Sequence, residues 1–484
     1  MLAQRLFNAG LKISKRVQLS PAFCKSMVVG GMGSLTCLDD GGFMKRYMHS
    51  TLPDQTGKGK KADIEREPIT HLIANIKGII KAKGPMPIAD YMKLALTSPI
   101  DGYYTRGNVI GREGDFITSP EISQMFGEMM GIWYIMQWQA AGCPQRVSFI
   151  ELGPGKGTMM SDMLRISKRF PKFHQAISEV HLVEASPELR NIQAHKLGCE
   201  VDESVGQSST SIKSNSKLYD FPVLWHHSIY QVDIASDTMP LVMAHEFFDA
   251  LPIYRFAKMD KGWREIMVDI DDTQPPETPY HFRFVKSRTE TTNTAVVINN
   301  PGFSDKYSVG DIIEVSPESS SNMHNIAKII SKHGGVGLVI DYGQDWTQGD
   351  TFRGIKCHKF ANPLSSPGSM DLTADVDFSY LRRSVKKDHV HCYGPVEQGS
   401  FLHSMGIQSR LTQLIQSTNN RTTQENLVAA YKRLTDPNSM GRIYKVMAIL
   451  SNQLRTDKPP VAFEEISREG ITKHTATAPH GSKH

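Results

Sequence analysis

The chain has 484 residues, 39% apolar and 22% charged, a balance that suits a globular protein larger than one ordinary core. It holds no run of 18 or more apolar residues, which excludes a membrane-spanning helix on hydropathy grounds. The net charge of +5 sits at one end. Residues 1–50 carry seven basic side chains (Arg5, Lys12, Lys15, Arg16, Lys25, Lys45, Arg46) against Asp39 and Asp40, and the rest holds 48 of each sign. A neutral body of this kind excludes a broad nucleic-acid footprint.

The first 38 residues contain no acid, and they space basic residues among Ser14, Ser20, Ser26 and apolar Leu6, Phe7 and Leu11. That is the pattern of a mitochondrial transit peptide, expected over residues 1–48, because Lys12, Lys15 and Arg16 interrupt any secretory apolar core. Residues 49–67 are polar and read as a linker. Cys24, Cys37, Cys143, Cys199, Cys357 and Cys392 form no CxxC pair and read as free thiols, not as a disulfide frame or zinc site.

Order is expected over residues 68–452. Apolar spacing predicts helices over 69–83 and over Ile88–Leu96, the second stopping before Pro99. A Gly-rich loop follows, and then Ser119-Pro120-Glu121 opens a helix whose apolar face runs Ile122, Met125, Phe126, Met129, Met130, Trp133, Met136. From 147 strands and helices alternate. The strands are VSFIEL, VHLVEA (180–185), PLVMAHEFF (240–248) and VGLVIDYG (336–343), with helices at Met159–Ser167, Pro187–Lys196 and Asn322–Lys332. This rhythm predicts an α/β fold with a mostly parallel sheet covered on both faces. Residues 262–285 alternate instead and predict an antiparallel excursion. The Ser-rich stretch 206–216 reads as a mobile loop, and residues 453–484 as a disordered tail.

The chemistry centres on Glu151-Leu-Gly-Pro-Gly-Lys-Gly-Thr158, placed between a strand and a helix. Gly153, Gly155 and Gly157 allow a tight turn and close ligand approach. The spacing is GxGxG, not the GxGxxG of dinucleotide sites, and Glu151 would repel a pyrophosphate. A carboxylate there suits the cationic amino-acid end of S-adenosyl-L-methionine (SAM). Glu184, at the end of the next strand, is placed to accept hydrogen bonds from ribose hydroxyls. A ligand in such a sheet lies beyond the carboxyl ends of the strands. His245-Glu246-Phe-Phe-Asp249 and Asp341-Tyr342-Gly343 bring further polar groups there. Were the methyl acceptor a guanidinium, which stays charged, Glu246 and Asp249 are the candidates to hold it. Asp249 can equally cap the turn before Pro252. No metal site is expected, since His226, His227, His389 and His391 have no partner at ligand spacing.

The segments GDFITSPEISQMFGE (114–128), ELGPGKGT (151–158), HEFFDALP (245–252), DYG (341–343), DLTADVDFSYLRR (371–383) and QGSFL (398–402) closely resemble the MidA-like methyltransferases. That family includes mitochondrial protein arginine methyltransferases active in complex I assembly. The resemblance covers about residues 68–452. It implies a class I SAM-dependent methyltransferase fold, Rossmann-like, with an added helical lobe. It also implies symmetric dimethylation (type II) of an arginine on a peripheral-arm complex I subunit, NADH dehydrogenase iron–sulfur protein 2, in the mitochondrial matrix. On this chain Gly153, Gly155, Gly157, Thr158 and Glu184 would then hold SAM, with Glu151. Thr118, Ser119, Pro120, Glu121 and Glu128 would close over the site, and Glu246 and Asp249 would face the acceptor. His245 stands where relatives often carry Asn; it can orient Glu246, contact SAM or pack in the core. Three alternatives stay open: a non-catalytic SAM-binding assembly chaperone, a methyltransferase acting on a small molecule or lipid, and an oxidoreductase, the last disfavoured by the glycine spacing.

Overall fold

The computed structural model describes residues 64–105, 118–200, 211–298, 307–454 and 458–464. The expected transit peptide and nearly all of the expected linker lie outside the described residues. The chain divides into two units, Met1–Glu65 with Thr273–Thr278, and Arg66–Asp272 with Pro279–His484. The first is described only at residues 64–65 and 273–278; all that follows concerns the second.

Its centre is a sheet with eight strands in path: β1 Val147–Leu152, β2 Ile177–Val183, β3 Ser211–Asn215, β4 Pro222–His226, β5 Met239–His245, β6 Val336–Gln344, β7 Val390–Glu397 and β8 Tyr444–Ser451. The spatial order is β7-β8-β6-β5-β1-β2-β4-β3, and Val376–Asp377 adds a short ninth strand beside β6. Strands β6, β5, β1, β2 and β4 run parallel, while β3 and β8 are antiparallel to their neighbours. Every residue of β1 and β5 is buried, as a parallel sheet covered on both faces requires. The chain winds outward from β1 through β2 and β4, then crosses back to β5. The order therefore reverses between β1 and β5, and their carboxyl ends part to leave a crevice. This is the class I methyltransferase arrangement expected from the sequence.

The antiparallel excursion is also present. Tyr254–Met259, Gly262–Ile270, Phe282–Lys286 and Ile312–Val315 form a second sheet with Met86–Pro87. It shares a core with the first two helices, His71–Lys83 and Ile88–Thr97, through Leu72, Ile76, Tyr91, Val268 and Phe282. Between β7 and β8 the chain builds the helical lobe, with helices Gln398–Ser404, Ile407–Gln416 and Arg421–Thr435.

Three details differ from expectation. The helix expected from Ser119 breaks at Ser123, whose extended backbone and side-chain oxygen cap the next turn. The result is a four-residue helix, Ser119–Ile122, and a separate one, Gln124–Ala140. The Ser-rich stretch expected to be a loop includes β3 at Ser211–Asn215, paired along β4, while 206–210 lie outside the described residues. Within the expected tail, Phe463 is buried with its ring against Trp133 and Phe401, and Val461 accepts a hydrogen bond from the Trp133 indole at 3.2 Å.

Helix Gln124–Ala140 buries Met125, Met129, Met130 and Trp133 completely, so its methionine stripe is core. Gly127 and Gly131 let it lie against helix Thr158–Ser167. A Cβ on Gly131 would stand 2.6 Å from Ile166 Cγ2 and 3.2 Å from Met163 Cα. This contact sets the helix that follows the glycine turn. Replacing Gly131 by Val is expected to cost about 1–3 kcal/mol by overpacking. Urea unfolding would show a lower midpoint at unchanged slope; an unchanged midpoint would show that the two helices part easily.

Candidate active site

A cavity of about 410 Å³ opens at the carboxyl ends of β1, β2, β4 and β5. Each strand delivers a short polar segment to it: 151–159 after β1, 183–189 after β2, 227–229 after β4 and 245–252 after β5. Leu96, Tyr104, Thr118, Pro120 and Glu121 close another side.

The β1 end is a backbone cradle. Gly153, Gly155 and Gly157 all have positive φ (61°, 52° and 74°), a conformation that L side chains rarely adopt. Gly157 starts helix Thr158–Ser167, whose first amides lack helical acceptors. Glu151 lies beneath this turn at 2% exposure, and its Oε2 has no hydrogen-bond partner. Burial pushes its carboxyl up to about 8. An isolated buried carboxylate is costly until a cation or donor meets it.

Glu184 lines the cavity at the end of β2. Its Oε1 accepts from Ser186 N–H at 2.9 Å and its Oε2 from Gln193 Nε2 at 3.2 Å. Burial outweighs these bonds and raises it to about 7. Gln193 also donates to Gly155 O at 2.7 Å and accepts from Trp225 Nε1 at 2.9 Å. It thus ties the glycine turn to Glu184, a role that nothing in its local sequence announced. Glu121 accepts from the Thr158 hydroxyl, which accepts in turn from Lys196. Segment 118–122 is therefore hooked to the start of the helix that follows the turn.

The β5 end is a cluster of buried carboxylates. Glu246 has φ +48°, a strained backbone for a non-glycine residue, of a kind that collects at functional sites. Its Oε1 is buried without a hydrogen-bond partner, while the nearby Ser119 backbone N–H and Tyr444 hydroxyl favour its ionised form. Burial first, then nearby Asp249, pushes it up to about 8. Asp341 on β6 is fully buried, and it accepts from the N–H groups of Phe248 (3.1 Å) and Asp249 (3.3 Å). Asp249 accepts from the hydroxyls of Tyr342 and Thr373, the latter at 2.9 Å. Burial raises both aspartates above the ordinary range. His245 packs its ring on Phe126 at 5.2 Å and places Nε2 3.4 Å from Glu246 Oε1. Burial depresses it to about 3, so it is neutral at physiological pH.

The cavity wall thus brings together Thr118, Pro120, Glu121, Glu151, Gly153, Gly155, Thr158, Glu184, His245 and Glu246. Ser119, Gly157 and Asp249 stand just behind it; Ser119 reaches the site through its backbone. Glu128 is not part of it. Its fully buried carboxylate is held by Arg410 Nη2 at 2.9 Å and Arg165 Nη1 at 2.7 Å, and it joins the helical lobe to helix Gln124–Ala140. The residues that sequence reasoning missed are Gln193, Tyr104, Thr373 and Tyr444. Of these, only Thr373 sits in a segment that stood out.

The cradle fits SAM on its own features, with an orphaned buried carboxylate oxygen for an ammonium, a glycine turn free of Cβ atoms and an acid at the next strand end. A family model for S-adenosyl-L-methionine-dependent methyltransferases matches residues 129–396. The chain belongs to this family. Among its relatives, the "Protein arginine methyltransferase NDUFAF7, mitochondrial" of Danio rerio is 39% identical over 411 residues, 82% of this chain and 93% of that protein. The Homo sapiens protein of the same name is 38% identical over 390 residues, 80% of this chain and 85% of that one. A Burkholderia thailandensis structure with S-adenosyl-homocysteine bound shares the fold at TM-score 0.62 and 23% identity, covering 79% of this chain and 92% of that one. SAM is accordingly the cofactor of this methyltransferase.

The raised carboxyl of Glu151 has a pH consequence. Below about 8 it is protonated and gives up its attraction for an ammonium; above, it is ionised. Affinity for S-adenosyl-homocysteine is therefore expected to fall as pH drops below about 8, by up to about tenfold per unit for one linked proton. Glu184 adds a second inflection near 7. Calorimetric titration across pH checks this, and Glu151→Gln should remove the upper inflection. A flat wild-type profile would contradict it.

Proposed function

We propose that the methyltransferase modifies an arginine side chain of a protein. The observation that carries this reading is Glu246, a mostly buried carboxylate that lines the cavity wall and whose Oε1 lacks a hydrogen-bond partner, backed by Asp249 and Asp341. A cationic acceptor supplies the charge this cluster lacks, and its approach lowers the Glu246 carboxyl back toward the ionised state. The relatives, named protein arginine methyltransferases of mitochondria, support the same acceptor and the same compartment.

In this reading Glu151, the glycine turn, Thr158 and Glu184 hold the cofactor, and segment 118–121 covers it. The cofactor supplies an electrophilic methyl group on a sulfonium. Glu246 orients the attacking nitrogen through its carboxylate and accepts the proton that nitrogen sheds. Neutral His245 keeps that carboxylate's surroundings free of a competing cation. Much of the rate comes from positioning and exclusion of water. The finer proposal is symmetric dimethylation of an arginine on a complex I peripheral-arm subunit, NADH dehydrogenase iron–sulfur protein 2, in the matrix. Residues 1–48 serve as the transit peptide, 49–67 as a linker and 68–452 as the catalytic domain.

The test uses the protein from about residue 50, isotopically labelled SAM and a matrix extract lacking the protein. Labelled dimethylarginine is expected on one complex I subunit. With Glu246→Gln, transfer should drop by at least about a hundredfold while S-adenosyl-homocysteine binding holds. Label in a small molecule would overturn the arginine assignment, and binding without transfer would favour an assembly chaperone.

A further inference from the structure

Gln193, on helix Pro187–Leu197, stands behind the cavity wall and is fully buried. Its side-chain amide meets three neighbours. Nε2 donates to Gly155 O in the glycine turn at 2.7 Å and to Glu184 Oε2 at 3.2 Å, and Oε1 accepts from the Trp225 indole of β4 at 2.9 Å. An indole N–H can only donate and a backbone carbonyl can only accept, so the amide has a single orientation. Trp225 is itself fully buried, which fixes the donor that sets it. The stem of Gln193 also packs under Gly157, where a Cβ would stand 3.3 Å from Gln193 Cγ.

Backbone bonds align the same strand ends. Gly153 N–H donates to Val183 O at 3.0 Å, and Glu184 N–H to His226 O at 2.9 Å. They fix the main chain, but the Glu184 side chain needs its own anchor. Glu184 is partly exposed and lines the cavity, with Ser186 N–H on Oε1 and Gln193 on Oε2. A carboxylate offers about four acceptor positions, so capacity remains for the two hydroxyls of a ribose. We infer that Gln193 is a positioning residue of the cofactor site, which holds the Glu184 carboxylate at a fixed span from the glycine turn so that a nucleoside's ribose diol and its amino-acid tail are met together. The inference rests on the reading of Glu184 as the ribose carboxylate.

Two substitutions separate this role from mere packing. Methionine at 193 keeps the volume and loses all three bonds. Glutamate keeps the acceptor for Trp225, loses both donors, and sets a second carboxylate beside Glu184. In either case Glu184 is released from the glycine turn, and the cofactor loses a preset grip on its diol.

The experiment compares wild type, Gln193→Met, Gln193→Glu and Glu184→Ala. Calorimetric titration measures the affinity of each for S-adenosyl-homocysteine and for the analogue whose ribose lacks both hydroxyls. Wild type should bind the analogue about tenfold to a hundredfold more weakly, the effect of hydrogen bonds to a charged group. Glu184→Ala should abolish that ratio. Gln193→Met should weaken S-adenosyl-homocysteine and shrink the ratio about threefold or more, the coupling expected of groups in one network. The ratio is the deciding readout, because a weakened fold lowers both affinities equally. Gln193→Glu, which keeps the bond to Trp225, gives the same reading should the methionine variant not fold. An unchanged ratio in the Gln193 variants, with the ratio lost in Glu184→Ala, would overturn the inference and leave Glu184 as the ribose carboxylate. A wild type that binds both ligands alike, or a ratio kept in Glu184→Ala, would overturn that reading of Glu184, and the role of Gln193 with it.

Discussion

The site depends on what happens where two parallel strands end side by side. Strand β5 ends at His245, and the chain must turn back at once toward the second sheet, which leaves the amides of Phe248 and Asp249 without backbone acceptors. Asp341, on the neighbouring strand β6, takes both in one carboxylate. It adds to the backbone bonds that fix the turn, Glu246 N–H to Ile340 O at 2.9 Å and Ala374 N–H to Asp249 O at 3.0 Å, and so helps hold the strained backbone of Glu246. The cost is a third buried carboxyl beside two others, each opposing the ionisation of its neighbours.

The two ends of the cavity use burial in different ways. At the β1 end one carboxylate is left bare under a glycine turn, and the backbone does the rest. At the β5 end four elements, the β5 turn, β6, residues 371–373 and β8, converge on a cluster of hydroxyls and acids. The first half is built for a ligand of one fixed shape. The second is a cluster of carboxyls that burial and mutual repulsion hold toward their protonated forms.

That difference explains what could be read from sequence. Glu151, the glycines and Glu184 are contiguous with the strands that present them, so their spacing carried their geometry. The acceptor side is assembled from residues nearly 200 positions apart in sequence, Glu246 and Tyr444, and Tyr444 has no local pattern around it. Glu128 misled because it sits in a motif-rich stretch, yet on its helix it points to Arg410 and away from the cavity. The helix break at Ser123 was hidden because Ser119-Pro120-Glu121 and Ser123 are both good start signals, and two caps in succession make two helices. Strand β3 carries one buried apolar side chain among its described positions, Ile212, too little alternation to show as a strand without β4 beside it.

Segment 118–122 touches both halves. The Ser119 amide favours the ionised form of Glu246, while Glu121 accepts from the Thr158 hydroxyl at the head of the glycine turn's helix. Two neighbouring residues on one short helix are thus committed to opposite ends of the cavity. In the proposed reading, a shift of that helix at one end is felt at the other, which couples the two ligands. Linkage makes such an effect mutual: the factor by which a seated cofactor raises affinity for the acceptor is the factor by which a seated acceptor raises affinity for the cofactor. In that reading the coupling runs through a stretch of five residues.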